Sequence, residues 1–149
     1  MKPEIKALLL NGVQQMMMQK TETINIQSSG DVVLVRQAVR QLAVEIGFGL
    51  VDQTKIVTAA SELARNTLDY GGGGTVKLET LQEGRRRGLR LTFEDRGPGI
   101  SDIELALKDG FTTGSGLGMG LGGAKRLANE FEIQSVVGEG TLIKIVRWK

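Results

Sequence analysis

From Gly114 to Gly122 every second residue is glycine, Gly123 follows, and Ala124-Lys125-Arg126-Leu127-Ala128 then reads as a helix. A backbone without Cβ atoms takes φ > 0 freely and lies close against whatever it meets. Where such a loop enters a helix N-terminus, unpaired N–H groups and the positive end of the helix dipole converge, which makes an anion site suited to phosphate. A mobile linker is the competing reading. Leu117, Met119 and Leu121 speak against it, because linkers seldom place an apolar residue at every second position.

The rest of the composition narrows the chemistry. The 149 residues make one domain by length, large enough to bury a core. Six aromatic residues leave few platforms for stacking single-stranded bases, and a net charge of +2 is too slight to imply a nucleic-acid partner. With neither histidine nor cysteine, the chain has no disulfide, no thiolate chemistry, no common zinc site and no His-based triad. Any general base is then a carboxylate or a lysine. Cysteine absence fits a cytoplasmic setting. No run reaches the ~18 apolar residues of a membrane span, and Ile5–Leu10 is too short and too charged at its flanks for a signal peptide.

In chain order, Ile5, Leu8, Leu9, Val13, Met16 and Met17 have helical spacing over 4–19, interrupted at Asn11-Gly12. Thr21–Gln27 alternates as a strand. After the turn Ser28–Asp31, the spacing predicts a helix over 32–46, ended by Gly47. Asp52 is a candidate cap for a second helix over 53–70. Two strands, 75–81 and 89–94, flank a hairpin whose tip holds Arg85-Arg86-Arg87. A short helix after Ser101-Asp102, a helix over 119–130 and strands 131–137 and 141–148 complete the chain. This β-α-α-β-β-α-α-β-β order, with short turns, predicts an α+β two-layer sandwich: a mixed, mainly antiparallel sheet with helices on one face.

Two further stretches carry polar groups where packing alone does not ask for them. Glu62, Asn66 and Asp69 project from one face of the second helix, next to the glycine run 71–74. A solvated face accounts for them equally well, although four glycines beside that face suggest close approach to something. The apolar strand 89–94 runs into Glu94-Asp95-Arg96-Gly97-Pro98-Gly99-Ile100, where Pro and the flanking glycines permit a sharp reversal. A turn alone does not explain the two acids that lead into it.

Gly118 and Gly123 have the spacing of a Walker loop, but Ala124 stands where lysine belongs. Gly118-Met-Gly120-Leu-Gly-Gly123 matches a dinucleotide fingerprint formally, yet no apolar strand precedes it and no second βαβ unit follows. A third pattern takes in all the features at once: Glu62-Leu-Ala-Arg-Asn66 on a helix, Asp95-Arg-Gly97-Pro-Gly99 after a strand, and Gly114-Ser-Gly116-Leu-Gly118 before a helix. This set resembles the GHKL superfamily of ATP-binding proteins, shared by DNA gyrase, the Hsp90 chaperones, histidine kinases and mismatch-repair proteins. Within it the chain is most similar to the small bacterial serine/threonine kinases that regulate sigma factors, and more narrowly to the switch kinases of the stressosome. Residues 47–53, 61–66, 94–100 and 136–141 carry that likeness.

The resemblance implies the Bergerat, or histidine-kinase-like, ATPase fold over 21–149, with 1–20 as an N-terminal extension outside it. It implies ATP and Mg²⁺ as ligands. Asn66 would hold the metal, Asp95 would accept the adenine amino proton, and Gly97 and Gly99 would let the backbone approach the nucleotide. Gly114, Gly116, Gly118 and Gly120 would line the phosphate lid, Thr141 would help fix the adenine, and Glu62 would be the general base. Asp69 either reaches the metal through water or faces solvent, and Arg65 is a surface arginine or a substrate contact. The activity implied is phosphorylation of a serine or threonine on a STAS-domain antagonist, with a PP2C-type phosphatase as a further partner. The alternative is an anti-sigma factor that binds a sigma factor directly and uses ATP as a conformational ligand.

Overall fold

The computed structural model describes residues 2–6, 19–108 and 120–149. Its elements are β1 (Thr21–Ile26), α1 (Ser29–Ile46), α2 (Leu50–Asp69), β2 (Gly74–Glu83), β3 (Arg86–Asp95), α3 (Ile103–Ala106), α4 (Gly120–Arg126), β4 (Glu130–Val136) and β5 (Gly140–Trp148). This is the order expected from the sequence. Of the N-terminal helix expected over 4–19, residues 3–6 are helical and 7–18 lie outside the described residues, as do Gly114, Gly116 and Gly118.

The five strands form one sheet in the order β1-β2-β3-β5-β4, and each neighbouring pair is antiparallel. The sheet among the described residues is therefore antiparallel throughout rather than mixed. Chain reversals give the reason. Between β1 and its neighbour β2 run two helices, so the chain reverses three times, and an odd number of reversals brings it back antiparallel. The other adjacent pairs that follow directly in sequence, β2–β3 and β4–β5, are joined by tight turns.

Period-two alternation sorts the sheet into two unlike faces. Val76, Leu78, Leu89, Leu91, Phe93 and Ile145 are buried against the stripe of α1 (Val35, Val39, Ile46) and α2 (Ile56, Ala60, Leu63). The opposite face carries charge. Arg90 donates to both carboxylate oxygens of its cross-strand partner Glu79 at 3.1 and 3.0 Å, and Lys144 faces Glu132 at 4.0 Å. Such cross-strand pairs suit a face in contact with water, so the helices cover one side only.

Both long helices begin earlier than their apolar periodicity suggests. Ser28 caps α1 by accepting from the Asp31 N–H at 3.3 Å, while Asp31 accepts from the Ser28 N–H at 3.1 Å, a reciprocal capping box. α2 starts at Leu50 with Gly49 as its cap, so Asp52 does not cap it. Asp52 instead sits in the first turn, where a carboxylate complements the helix dipole, and accepts from Arg147 at 2.6 Å. The sequence masks this start because Leu50 and Val51 are apolar yet 73% and 67% exposed. The arginine triplet is likewise more than a solvated tip. Arg86 opens β3 and stacks 3.8 Å from the Trp148 ring centroid, and Arg87 donates to the Ile46 carbonyl at 3.4 Å.

Candidate active site

The C-terminal turns of α2, the end of β3 and the start of β5 meet at one pole of the sheet. There Asp95 and Thr141 are direct cross-strand partners. Together with Asn66, Tyr70, Ile100 and Leu121 they line a narrow cavity of about 400 Å³, its open mouth included. Asn66, Asp95 and Thr141, to which the family resemblance gave roles from three separate stretches of sequence, share one cavity. A larger groove between β1 and α1, lined by Ile24, Leu34 and Glu45 among others, contains none of the motif residues.

The glycine run after α2 approaches the chain's own Asp95. A Cβ on Gly71 would collide with the Asp95 carboxyl group, and one on Gly97 would lie 2.7 Å from the Gly71 backbone. Gly99 has φ +74°, and its missing Cβ leaves room for the Val136 carbonyl. The turn after β3 is therefore pressed between the end of α2 and the β4–β5 hairpin. Tyr70 fastens it from one side by donating to the Gly99 carbonyl at 2.9 Å. Ser135 fastens it from the other by accepting from the Ile100 N–H at 2.7 Å.

Asp95 is the electrostatic centre of the cavity. Burial pushes its carboxyl above the ordinary aspartate range, and the N–H groups of Gly97 and Thr141 work against that rise. The neighbouring Glu94 charge adds to it. A half-buried acceptor with apolar walls around it is what recognition of an amino-bearing base requires. Asn66 is half-buried, and its side-chain amide makes no hydrogen bond among the described residues. Its oxygen is a hard, free donor. No cluster of three or more acidic side chains suited to a metal occurs among the described residues. Mg²⁺ bound through phosphates needs only one or two protein oxygens, so the donor set fits that ion.

Glu62, one turn before Asn66, is half-buried and opens elsewhere. It lines a groove of about 840 Å³, mouth included, between α1 and α2, with Val33, Arg36, Arg40 and Ser61. Asp69 is exposed and lies 3.9 Å from Arg65, a solvent-facing ion pair of little energetic weight. Gly120 is buried at the first position of α4. Tyr70 and Ser135 carried no signal in the sequence. Their hydrogen bonds span 29 and 35 residues, and no local spacing reports such contacts.

The chain's likeness to known proteins agrees with this geometry. Residues 51–149 match the family of histidine kinase-, DNA gyrase B- and HSP90-like ATPases. The chain is 48% identical over 125 residues to the serine/threonine-protein kinase RsbT of Bacillus subtilis (strain 168), covering 84% of this chain and 94% of that one. It is 30% identical over 118 residues to the anti-sigma F factor of Thermoanaerobacter sp. (strain X514), covering 76% and 82%. In fold it resembles the RsbU and RsbW domains of Rv1364c from Mycobacterium tuberculosis, with TM-score 0.60 and 21% identity. That match covers 88% of this chain but only 33% of the other. From α2 to the last strand the sequence follows one family, and the chain belongs to the GHKL (histidine kinase-, DNA gyrase B- and HSP90-like) ATPases, close to the RsbT-type switch kinases.

Proposed function

We propose that this chain is an ATP-dependent serine/threonine protein kinase that phosphorylates a STAS-domain antagonist, and so acts as a partner switch in stress or sigma-factor signalling. One observation carries the reading. A single turn of α2 separates Asn66, on the wall of the narrow cavity, from Glu62, on the wall of an open groove. The two residues project from one face of α2, so a nucleotide held at Asn66 and a protein hydroxyl held at Glu62 can meet there.

In this reading Asp95 accepts from the adenine amino group, with Thr141 as a second polar contact. Gly97 and Gly99, which let their turn pack against Gly71 and Val136, would let the backbone approach the nucleotide. Asn66 would hold Mg²⁺, and Gly114, Gly116, Gly118 and Gly120 would line the phosphates. Bound Mg-ATP supplies the phosphoryl group and the neutralising charge. Glu62 accepts the proton of the incoming serine or threonine, a task for which a chain without histidine offers a carboxylate. Among the described residues the Glu62 carboxylate has no hydrogen-bond or ion-pair partner, so it is free to receive that proton.

The groove also speaks to the acceptor. Arg36 and Arg40 stand one turn apart on α1 with no acidic partner among the described residues. An acceptor segment with carboxylates near its hydroxyl would complement them. A PP2C-type phosphatase is the further partner of the same switch.

Incubation with Mg-ATP and a STAS-domain protein should add one phosphate to that protein. Glu62→Ala and Asn66→Ala should each slow transfer about 100-fold or more. Transfer that neither substitution slows would overturn both assignments. The identity to anti-sigma F factors supports a second reading, direct sigma-factor binding with ATP as conformational ligand. Retention of a sigma factor without any phosphate transfer would favour it.

A further inference from the structure

Leu50 and Val51 open α2 without joining the core. They stand 73% and 67% exposed, and Val44, in the last turn of α1, is 56% exposed. The basic tip of the β2–β3 hairpin lies beside them. Arg87 donates to the Ile46 carbonyl, the Lys149 N–H donates to the Arg87 carbonyl at 2.8 Å, and the Lys149 Nζ lies 3.0 Å from the place a Gly47 Cβ would take. Arg85 stands at the hairpin tip, and Lys55 follows Val51 by one turn of α2. All four cations are exposed, and none has an acidic partner among the described residues. The nearby acids are engaged: Glu83 by Arg86 at 3.4 Å, Asp52 by Arg147 at 2.6 Å and Glu45 by Lys20 at 2.6 Å.

This pole lies at the far end of α2 from the nucleotide cavity, since Leu50 and Asn66 are ~24 Å apart along one helix. Apolar side chains standing out among unpaired cations match a surface that is anionic outside and apolar beneath. An anionic bilayer is such a surface: apolar side chains enter the acyl boundary while cations remain at the headgroups. An acidic protein would also meet the charges. However, the apolar centre of a protein interface sits in packed pockets, and neither the cavity nor the grooves described above include Val44, Leu50 or Val51.

We infer that this pole is a contact site for anionic membrane lipid. Val44, Leu50 and Val51 enter the boundary between headgroups and acyl chains, and Lys55, Arg85, Arg87 and Lys149 stay at the headgroups. The contact is reversible, because three apolar side chains and four cations fall far short of a spanning helix. Docked this way, the chain keeps its nucleotide cavity turned away from the bilayer.

The test is sedimentation of the full chain with vesicles of phosphatidylcholine alone and of phosphatidylcholine with one third phosphatidylglycerol. The chain should bind the mixed vesicles and not the neutral ones, less tightly as salt rises. Leu50→Ser with Val51→Ser should weaken that binding about fivefold or more, through lost apolar burial. Arg85→Gln with Lys149→Gln should weaken it ~25-fold, about fivefold for each charge removed. Arg36→Gln with Arg65→Gln removes the same net charge away from the pole and should leave binding within about twofold of wild type. ATP affinity, unchanged in the two pole variants, reports that they fold. No binding to mixed vesicles, equal binding by wild type and the Leu50/Val51 variant, or equal losses in the two cation-removing variants would each overturn the inference. If mixed vesicles are ignored while polyglutamate is held through Arg85 and Lys149, the pole takes an acidic protein and the lipid assignment falls.

Discussion

Asp95 holds its charge at a cost to the fold that carries it. Its folded pKa is raised, chiefly by burial, so ionisation is less favourable in the folded than in the unfolded chain. The stability linked to this group is therefore fully present below the ordinary aspartate value and is lost as pH rises through the raised one. Asp95→Asn keeps an oxygen for the Gly97 N–H and removes the charge. It should raise the thermal midpoint of the nucleotide-free protein at neutral pH, with a gain that shrinks as pH falls below the aspartate range. ATP affinity should drop in the same variant. A lower midpoint at neutral pH would show that the carboxylate is stabilising where it sits. At this scale the sequence displayed Asn66 because it shares a polar face of α2 with Glu62 and Asp69 just before a glycine run, and Asp95 because it ends β3 two residues before Gly97. It hid Tyr70 and Ser135, whose partners come from distant parts of the chain. Asp69 shared a helical face with Asn66 but turned out exposed and ion-paired with Arg65.

Among the elements, α1 deserves its own tests because it bears both a cap and a groove wall. Ser28→Ala removes the side-chain half of the capping box and should cost about 1 kcal/mol in chemical denaturation. An unchanged midpoint would place the start of α1 elsewhere. Arg36→Glu with Arg40→Glu should leave stability and ATP affinity near wild type while weakening capture of an acidic acceptor protein, more so at low salt. Equal capture by wild type and variant would remove the groove from the docking surface. Helix existence was legible from apolar spacing, and the helix starts were not. Periodicity locates the buried stripe, whereas the first turns of α1 and α2 precede it and are fixed by Ser28, Gly49 and the Asp52–Arg147 pair.

For the whole molecule, the order of the nine elements from β1 to β5 among the described residues was readable because each strand alternates and most turns are marked by glycine, proline or a polar cluster. The end of α4 at Arg126, before Leu127-Ala128-Asn129, is not so marked, and the spacing ran that helix on to 130. The sheet order was not readable, since β5 inserts between β3 and β4 and nothing local records that crossover. Its charge-paired open face leaves the helical face as the working side, with cavity and groove both lined by α2. No helix among the described residues is long and apolar enough to cross a membrane. The division of labour along α2 is the centre of this account, with Asn66 serving the nucleotide and Glu62 serving the acceptor. Measuring ATP affinity and single-turnover transfer to a STAS-domain protein in Glu62→Gln tests it directly. The dissociation constant for ATP should stay within about twofold of wild type while transfer slows by about 10²–10⁴, the usual contribution of a general base. Transfer at the wild-type rate, or loss of ATP binding in step with transfer, would contradict the account.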